Sequence, residues 1–328
     1  MQTKPFGRTG RSVAEIGFGT WAIGADWGTV DDTEGVRALH AALDLGVDFI
    51  DTADVYGDGR SERMIAEVLA TRRGDRPYVA TKVGRRLPTQ SADGYTAANL
   101  AAWVERSLTN LNVDTLDLVQ LHCPPTDLYY HAEVFGFLDD LVTQGKIRNY
   151  GVSVERVEEA LKAIEYPGVV SVQIIYNIFR QRPAELFFRE AARRQVAVIV
   201  RVPMASGLLT GKFGPDSRFE ASDHRHFNRE GAAFDVGETF AGVPYDTGLA
   251  AVEAIRPMVP PGMTMAQLAL RWVLMDPAVS VVIPGAKTVP QATANTAAAD
   301  FPSLSDDAMA ALTALYDQRV RPSVHQRW

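Results

Sequence analysis

Four residues have the types and placement to move a proton together: Asp51, Tyr56, Lys82 and His122. A phenol ordinarily titrates near ~10, too high for easy proton exchange at neutral pH. A neighbouring ammonium favours the phenolate and lowers that value. Lys82 supplies such a charge, and Asp51 would hold it and offset the cost of burying it. His122 is suited to donate a hydrogen bond to a reacting oxygen or to relay a proton through the phenol. The set would act as a tunable proton donor, as carbonyl reduction requires when oxygen gains negative charge and hydride reaches carbon. Taken singly, each residue has a plainer reading: Asp51 as a helix cap, Tyr56 as a packed aromatic, Lys82 as a snorkelling chain, His122 as a semi-buried histidine. Their placement at the ends of successive predicted strands favours the joint reading. There is no H-E-x-x-H, no second histidine near His122 and no G-x-S-x-G elbow, so neither a metal site nor a serine nucleophile is expected.

The elements that must position these residues alternate. Short apolar runs predict strands at 16–21, 47–51, 78–82, 116–121, 150–152, 170–174, 196–202 and 279–283. The run 116–121 is read as a strand buried on both faces. Amphipathic spacing predicts helices at 33–45, with Asp32 as N-cap, and at 61–71, 97–111, 132–144, 157–164, 185–194, 265–275, 291–298 and 305–316. Eight strands nearly all separated by helices predict an α/β fold, a closed (β/α)8 TIM barrel, as a single domain over residues 1–328. A doubly wound sheet is the competitor, but no G-x-G-x-x-G follows the first strand. In a barrel the chemistry sits at the C-terminal strand ends. Those ends are Thr20-Trp21, Asp51, Lys82, His122, Ser153, Gln173 with Tyr176-Asn177, Arg201 and Pro284–Lys287. Residues 211–261 predict a long lid loop after the seventh strand, rich in glycine and proline and carrying the cluster Asp223–Arg229. His224 and His226 in that cluster are read as a solvated turn. The apolar groups near the mouth, Trp21, Trp27, Tyr95, Tyr129 and Phe179, are expected to shape a substrate pocket with Tyr56 and His122.

Composition narrows the classes. The 328 residues carry 33 basic and 40 acidic side chains, a formal charge of −7. That argues against nucleic acid or an anionic membrane as partner, while a local basic pocket for phosphate stays open. Cys123 is the single cysteine, so no internal disulfide and no cysteine-based zinc cluster is expected. No leader-like apolar segment opens the chain and no run is long enough to span a bilayer, which predicts a cytoplasmic protein. The expected partner is a small-molecule carbonyl compound.

Three motifs give the chain a resemblance. Asp51-Thr-Ala-Asp-Val-Tyr56-Gly with Ser61-Glu62, then Leu118-Val-Gln-Leu-His122, then Ile283-Pro-Gly-Ala-Lys287 with Gln291 and Asn295 resemble, in order, the signatures of the aldo-keto reductase family. Phe6–Gly10 resembles the N-terminal β-hairpin that plugs that family's barrel. The stretch 202–212 resembles the branch of bacterial inositol-operon reductases and potassium-channel beta subunits. The resemblance spans about residues 4 to 300. It implies a catalytic tetrad of Asp51, Tyr56, Lys82 and His122 with Tyr56 as acid/base, and NADPH held across the mouth without a Rossmann fold.

The resemblance also implies cofactor positions. Thr20, Trp21 and Asp51 would lie beside the cofactor, with Ser153 and Gln173 on the nicotinamide carboxamide. Arg201 stands where many members place a stacking aromatic. Its charge would disfavour the cationic NADP⁺ against NADPH. Pro203, Met204, Gly207 and Leu208 belong to the pyrophosphate segment, where Lys212 and Arg218 would face phosphate. Gly285, Lys287 and Gln291 would approach the 2′-phosphate, and Asn295 the adenine. Val154 and Ala294 depart from the pattern, where asparagine and an acidic residue are usual. The expected activity is NADPH-dependent reduction of an aldehyde or ketone. The alternatives are an NAD(P)-dependent sugar or alcohol dehydrogenase and a slow-turnover, NADPH-binding regulatory subunit.

Overall fold

In the computed structural model, which describes residues 1–25, 27–28 and 30–328, two sheets account for all strands. Strands β1 (Thr3–Pro5) and β2 (Ser12–Ala14) pair antiparallel as a hairpin. Eight parallel strands follow in sequence order: β3 (Phe18–Gly19), β4 (Phe49–Asp51), β5 (Tyr78–Val83), β6 (Leu116–His122), β7 (Ile147–Ser153), β8 (Val169–Ile175), β9 (Ala197–Arg201) and β10 (Val279–Val282). The sheet closes on itself. Gly17 N donates to Val282 O at 2.8 Å, Val282 N to Glu15 O at 3.0 Å and Gly19 N to Pro284 O at 3.1 Å. The (β/α)8 barrel is therefore complete.

Strand periodicity explains the site. Side chains alternate across a strand, so every second residue faces the barrel interior. Phe49, Tyr78, Ala80, Leu118, Ala197 and Ile199 form the inner core with Phe6 and Val13 of the hairpin. Val79, Val119, Leu121, Val198 and Val200 join the outer core under the helices. Beyond the inner apolar positions, on the same face, come Asp51 two residues after Phe49, Lys82 two after Ala80, Gln120 and His122 two and four after Leu118, and Arg201 two after Ile199. In the register Asp51 lies opposite Ala80, Lys82 opposite Gln120, and His122 opposite Ser153, which faces Gln173, so the polar positions climb by one inward step per strand from β4 to β6.

Helices cover the outside as the apolar spacing predicts. The helix Ala97–Leu111 buries Leu100, Trp103, Val104, Leu108 and Leu111. Thr96 caps its start by accepting from Asn99 N, and Asn112 ends it at φ 52°, a left-handed position that asparagine tolerates.

Three expectations change. The first strand is shorter than 16–21: a four-residue helix, Trp21–Gly24, begins where the strand was to end. The helix predicted at 33–45 runs Asp32–Asp44, with Asp31 rather than Asp32 as the cap accepting from Glu34 N. The stretch 211–261 is not a loop throughout. Its Gly- and Pro-rich composition hides a helix, Tyr245–Ile255, which buries Gly248, Ala251, Val252 and Ile255 against the barrel. The remaining crossing segment, 211–243, lies over the mouth in short helical turns and meets the first barrel loop through an antiparallel bridge between Trp27 and Asp223.

Candidate active site

The mouth holds a cavity of about 460 Å³ whose wall includes Asp51, Tyr56, His122, Gln173, Arg201 and Glu238. At its base Lys82 Nζ donates to Asp51 Oδ2 at 2.6 Å, to Thr52 O at 2.9 Å and to the Tyr56 hydroxyl at 3.2 Å. Both Lys82 and Asp51 are essentially excluded from water. Gln173 Nε2 (2.7 Å) and Gln120 Nε2 (3.3 Å) donate to Asp51 Oδ1. The carboxylate is thus saturated and fixed, and it fixes the ammonium in turn. Burial alone would lower the Lys82 pKa, but Asp51 and Tyr56 overcome this and raise it.

The phenol behaves otherwise than its neighbour suggests. Burial pushes Tyr56 up to about 12; the Lys82 ammonium pulls down, while Asp51 and Glu238 push with burial. The expected lowering by Lys82 is outweighed chiefly by burial, with Asp51, 2.6 Å from the ammonium, adding to the rise. Tyr56 is therefore a fully protonated donor at neutral pH. The His122 ring meets it edge-on at 5.9 Å between centroids. Burial, then the nearby charges of Arg85 and Lys82, hold His122 well below its usual range, so the imidazole is neutral. Its buried Nδ1 has no hydrogen-bond partner among the described residues.

One wall carries charges. Arg201 donates to Glu155 at 2.9 Å and lies 3.3 Å from Glu238. Arg85 donates to Glu238 at 2.6 Å and to Glu155 at 3.3 Å. Burial would raise the Glu238 pKa, but Arg85 and Arg201 overcome it and hold that carboxyl well below its usual range. Burial, only partly opposed by Arg201, pushes Glu155 up. The Arg201 guanidinium is thus not the free charge expected beside a nicotinamide. It is tied to two carboxylates.

The far rim is basic. Lys212, Arg225 and Lys287 line it with Gly207, Gly285, Gln291 and Asn295. Arg225 is anchored on Asp223 and stacks over Trp27 at 4.8 Å and Phe219 at 4.5 Å. Lys287 Nζ donates to Trp27 O, while its backbone N–H donates to Gln291 Oε1 at 2.7 Å. Helix Val289–Thr296 starts here, capped by Thr288, with its positive end toward the rim.

Residues 15–317 match the model of the Aldo/keto reductase family. The chain belongs to that family of oxidoreductases. It is 30% identical over 294 residues to the aldo-keto reductase YhdN of Bacillus subtilis, covering 88% of this chain and 85% of that one. It is 28% identical to a probable voltage-gated potassium channel beta subunit of Arabidopsis thaliana, over 92% of each. A solved structure, the glycerol dehydrogenase of Gluconobacter oxydans, superposes with a TM-score of 0.73 at 29% identity, over 95% of this chain and 94% of that one.

Among the aldo/keto reductase positions read from the sequence, Trp21, Asp51, Gln173, Arg201, Pro203, Met204, Gly207, Lys212, Gly285, Lys287, Gln291 and Asn295 line the cavity. Thr20, Ser153 and Leu208 stand behind its wall. Thr20 Oγ1 donates to Asp51 O at 2.8 Å and Ser153 Oγ lies 3.5 Å from Cys123 Sγ. Leu208 packs in the outer core. Arg218 is exposed outside the cavity. Of the proposed pocket aromatics, Trp21 and Trp27 face the cavity. Tyr95, Tyr129 and Phe179 do not: all three are core residues at most 1% exposed, Tyr95 being packed edge-on against Trp103. Their rings follow strand ends but turn under the helices, where burying that much apolar area is favourable. His224 is also no solvated turn. It is fully buried between Trp21 and Trp27, at ring distances of 4.7 and 4.5 Å, whereas His226 is exposed.

Sequence reasoning missed Gln120, Arg85, Glu155, Glu238 and Arg225. Gln120 had a signal: a lone amide in an apolar strand, two residues before His122 on the same face. Glu238 had none, since its place depends on how the crossing segment folds.

Proposed function

We propose that this protein reduces an aldehyde or ketone with NADPH, with Tyr56 giving the proton. The observation that carries the reading is the Tyr56 hydroxyl, 3.2 Å from a lysine locked by Asp51, on the wall of a cavity where a neutral His122 has an unpartnered ring nitrogen. The residues fit the cofactor. The basic rim of Lys212, Arg225 and Lys287 and the start of helix Val289–Thr296 would hold phosphates. Asn295 and Gln291 stand beside them. The dinucleotide, when bound, supplies the hydride.

The chain's own part is electrostatic. A carbonyl oxygen between Tyr56 and His122 accepts hydrogen bonds from both, and these strengthen as negative charge develops on it. Tyr56 then gives its proton to that oxygen, and the resulting phenolate is met by the Lys82 ammonium. Asp51, Gln120 and Gln173 hold the ammonium so that nothing need reorganise at that moment. With its pKa pushed up to about 12, Tyr56 stays protonated at neutral pH, so the form that can give a proton is populated while the phenolate that a dehydrogenase needs is scarce.

Tyr56→Phe tests the reading. It removes the proton and little else, so NADPH binding followed by fluorescence should persist. Carbonyl reduction should fall about 10²–10⁴-fold, the usual worth of general acid catalysis. A variant within threefold of wild type, at a pH where chemistry limits the rate, would remove Tyr56 from that role.

A further inference from the structure

Glu238 reaches the cavity from the crossing segment rather than from a strand, so something must hold that segment in place. The turn around it is strained. Phe240 and Ala241 have φ of 52° and 58°, and Gly242 follows at 76°. Non-glycine residues keep such left-handed angles only where their surroundings impose them.

The surroundings are identifiable. In front, Ser206 Oγ donates to Glu238 O at 3.0 Å and accepts from Phe240 N at 3.1 Å. Behind, Trp328 is 4% exposed and its indole N–H donates to Asp235 Oδ1 at 2.8 Å. Its ring lies flush on Gly237 and Gly242. A Cβ at Gly237 would meet it at 2.8 Å, and one at Gly242 would run into it. Arg180 covers the ring at 4.2 Å and donates to Ala241 O at 3.2 Å and Glu155 O at 3.4 Å. Arg182 in turn donates to Trp328 O at 2.6 Å. Arg180 therefore touches both the Trp328 clasp and the backbone of both carboxylate-bearing segments.

We propose that Trp328 and Arg180 clasp residues 235–242 so that Glu238 cancels the charge of Arg201, and thereby set the relative affinity of the site for oxidised and reduced cofactor. The inference rests on the NADP(H) reading. A nicotinamide able to deliver hydride beside Tyr56 must occupy the cavity whose wall Arg201 and Glu238 share. Its oxidised ring is cationic and its reduced ring is neutral. With Glu238 in place, Arg201 repels neither. With Glu238 withdrawn, Arg201 keeps only Glu155 and the wall gains one net positive charge, which disfavours the oxidised form. Trp328 is a positioning residue in this scheme, because it acts through Glu238.

The test is a pair of dissociation constants, NADP⁺ and NADPH, at one ionic strength. Glu238→Gln should raise the NADP⁺-to-NADPH ratio about three- to tenfold, since screening leaves only part of the charge effect. Trp328→Ala should move the ratio the same way. Trp328→Phe, which keeps most of the ring but loses the bond to Asp235, should move it less. The double variant Trp328→Ala/Glu238→Gln should show no larger ratio than Glu238→Gln alone, as two changes on one route must. Equal weakening of both cofactors by Trp328→Ala, or additive shifts in the double variant, overturns the clasp. Should Trp328→Ala not fold, the same comparison between Trp328→Phe and Glu238→Gln decides it. A wild type that binds neither nucleotide overturns the functional reading as well, whereas binding with an unmoved ratio overturns the clasp alone.

Discussion

The two ends of the barrel are built from the same strands to opposite purposes. At the N-terminal end, Phe6 of the hairpin packs on Phe49 and Tyr78 at 5.3 and 5.4 Å and seals the interior with apolar groups. At the C-terminal end, one or two strand steps further, the inward positions turn polar, Lys82 pairs with Asp51 and Arg201 with Glu155, and a cavity opens. The lower end gains by excluding water from apolar area. The upper end pays desolvation for charged groups and recovers it only through close pairing. Stability and chemistry are thus separated along the barrel axis by one repeat of strand alternation.

That separation can be broken. Phe6→Ala should cost about 3–5 kcal/mol of unfolding free energy, as for a fully buried aromatic removed from a packed core. Its kcat and its cofactor affinity should stay within twofold of wild type. Urea unfolding and steady-state kinetics on the same preparation check both halves. A variant that keeps its stability but loses activity would show that the hairpin shapes the mouth.

The same division decided what could be read from the sequence. Strand and helix order, closure and the placement of Asp51, Lys82 and His122 at strand ends were legible because they follow from periodicity two and from short apolar runs. The ion pair Asp51–Lys82 followed from residue type. What was not legible depends on long-range folding. The helix Tyr245–Ile255 was hidden because its small residues lie in Gly- and Pro-rich sequence. The partners of Arg201 come from β7's exit and from position 238, which only the folded crossing segment brings together. The same gap turned Tyr95, Tyr129 and Phe179 from expected pocket walls into core, since sequence places a residue after a strand but not its ring.

Asp54 tests how complete the pairing at the upper end is. It is fully buried two residues before Tyr56, and neither carboxyl oxygen has a hydrogen-bond partner among the described residues. Burial, then Glu62, push its pKa up to about 7 from an ordinary 3.8, against the pull of Arg86 and Arg106. A raised carboxyl stabilises the fold fully below the unfolded value. That stability drains away as pH rises to the folded value, and no further loss follows above it. Asp54→Asn removes the titration while keeping the shape. Its stability relative to wild type should therefore improve by about 2–3 kcal/mol between pH 5 and pH 8. The measurement is urea unfolding of both proteins at the two pH values. A constant difference would mean that Asp54 is ionised and compensated in the native state.

Lys287 offers the smallest and most selective change at the mouth. Its ammonium has three N–H donors, and one is engaged by the carbonyl of Trp27. Burial, then the neighbouring Arg225, lower its pKa, which marks a place where positive charge is crowded and an anion is welcome. If that anion is the 2′-phosphate, Lys287→Ala should weaken NADPH by about 1–3 kcal/mol, the range of a charged hydrogen bond. NADH lacks the phosphate and should be nearly unaffected. The loss of the Trp27 contact acts on both cofactors alike, so the difference between them isolates the phosphate. Equal losses in parallel fluorescence titrations would assign Lys287 to holding the Trp27 loop, and would pass the phosphate to Arg225 or Gln291 across the same rim.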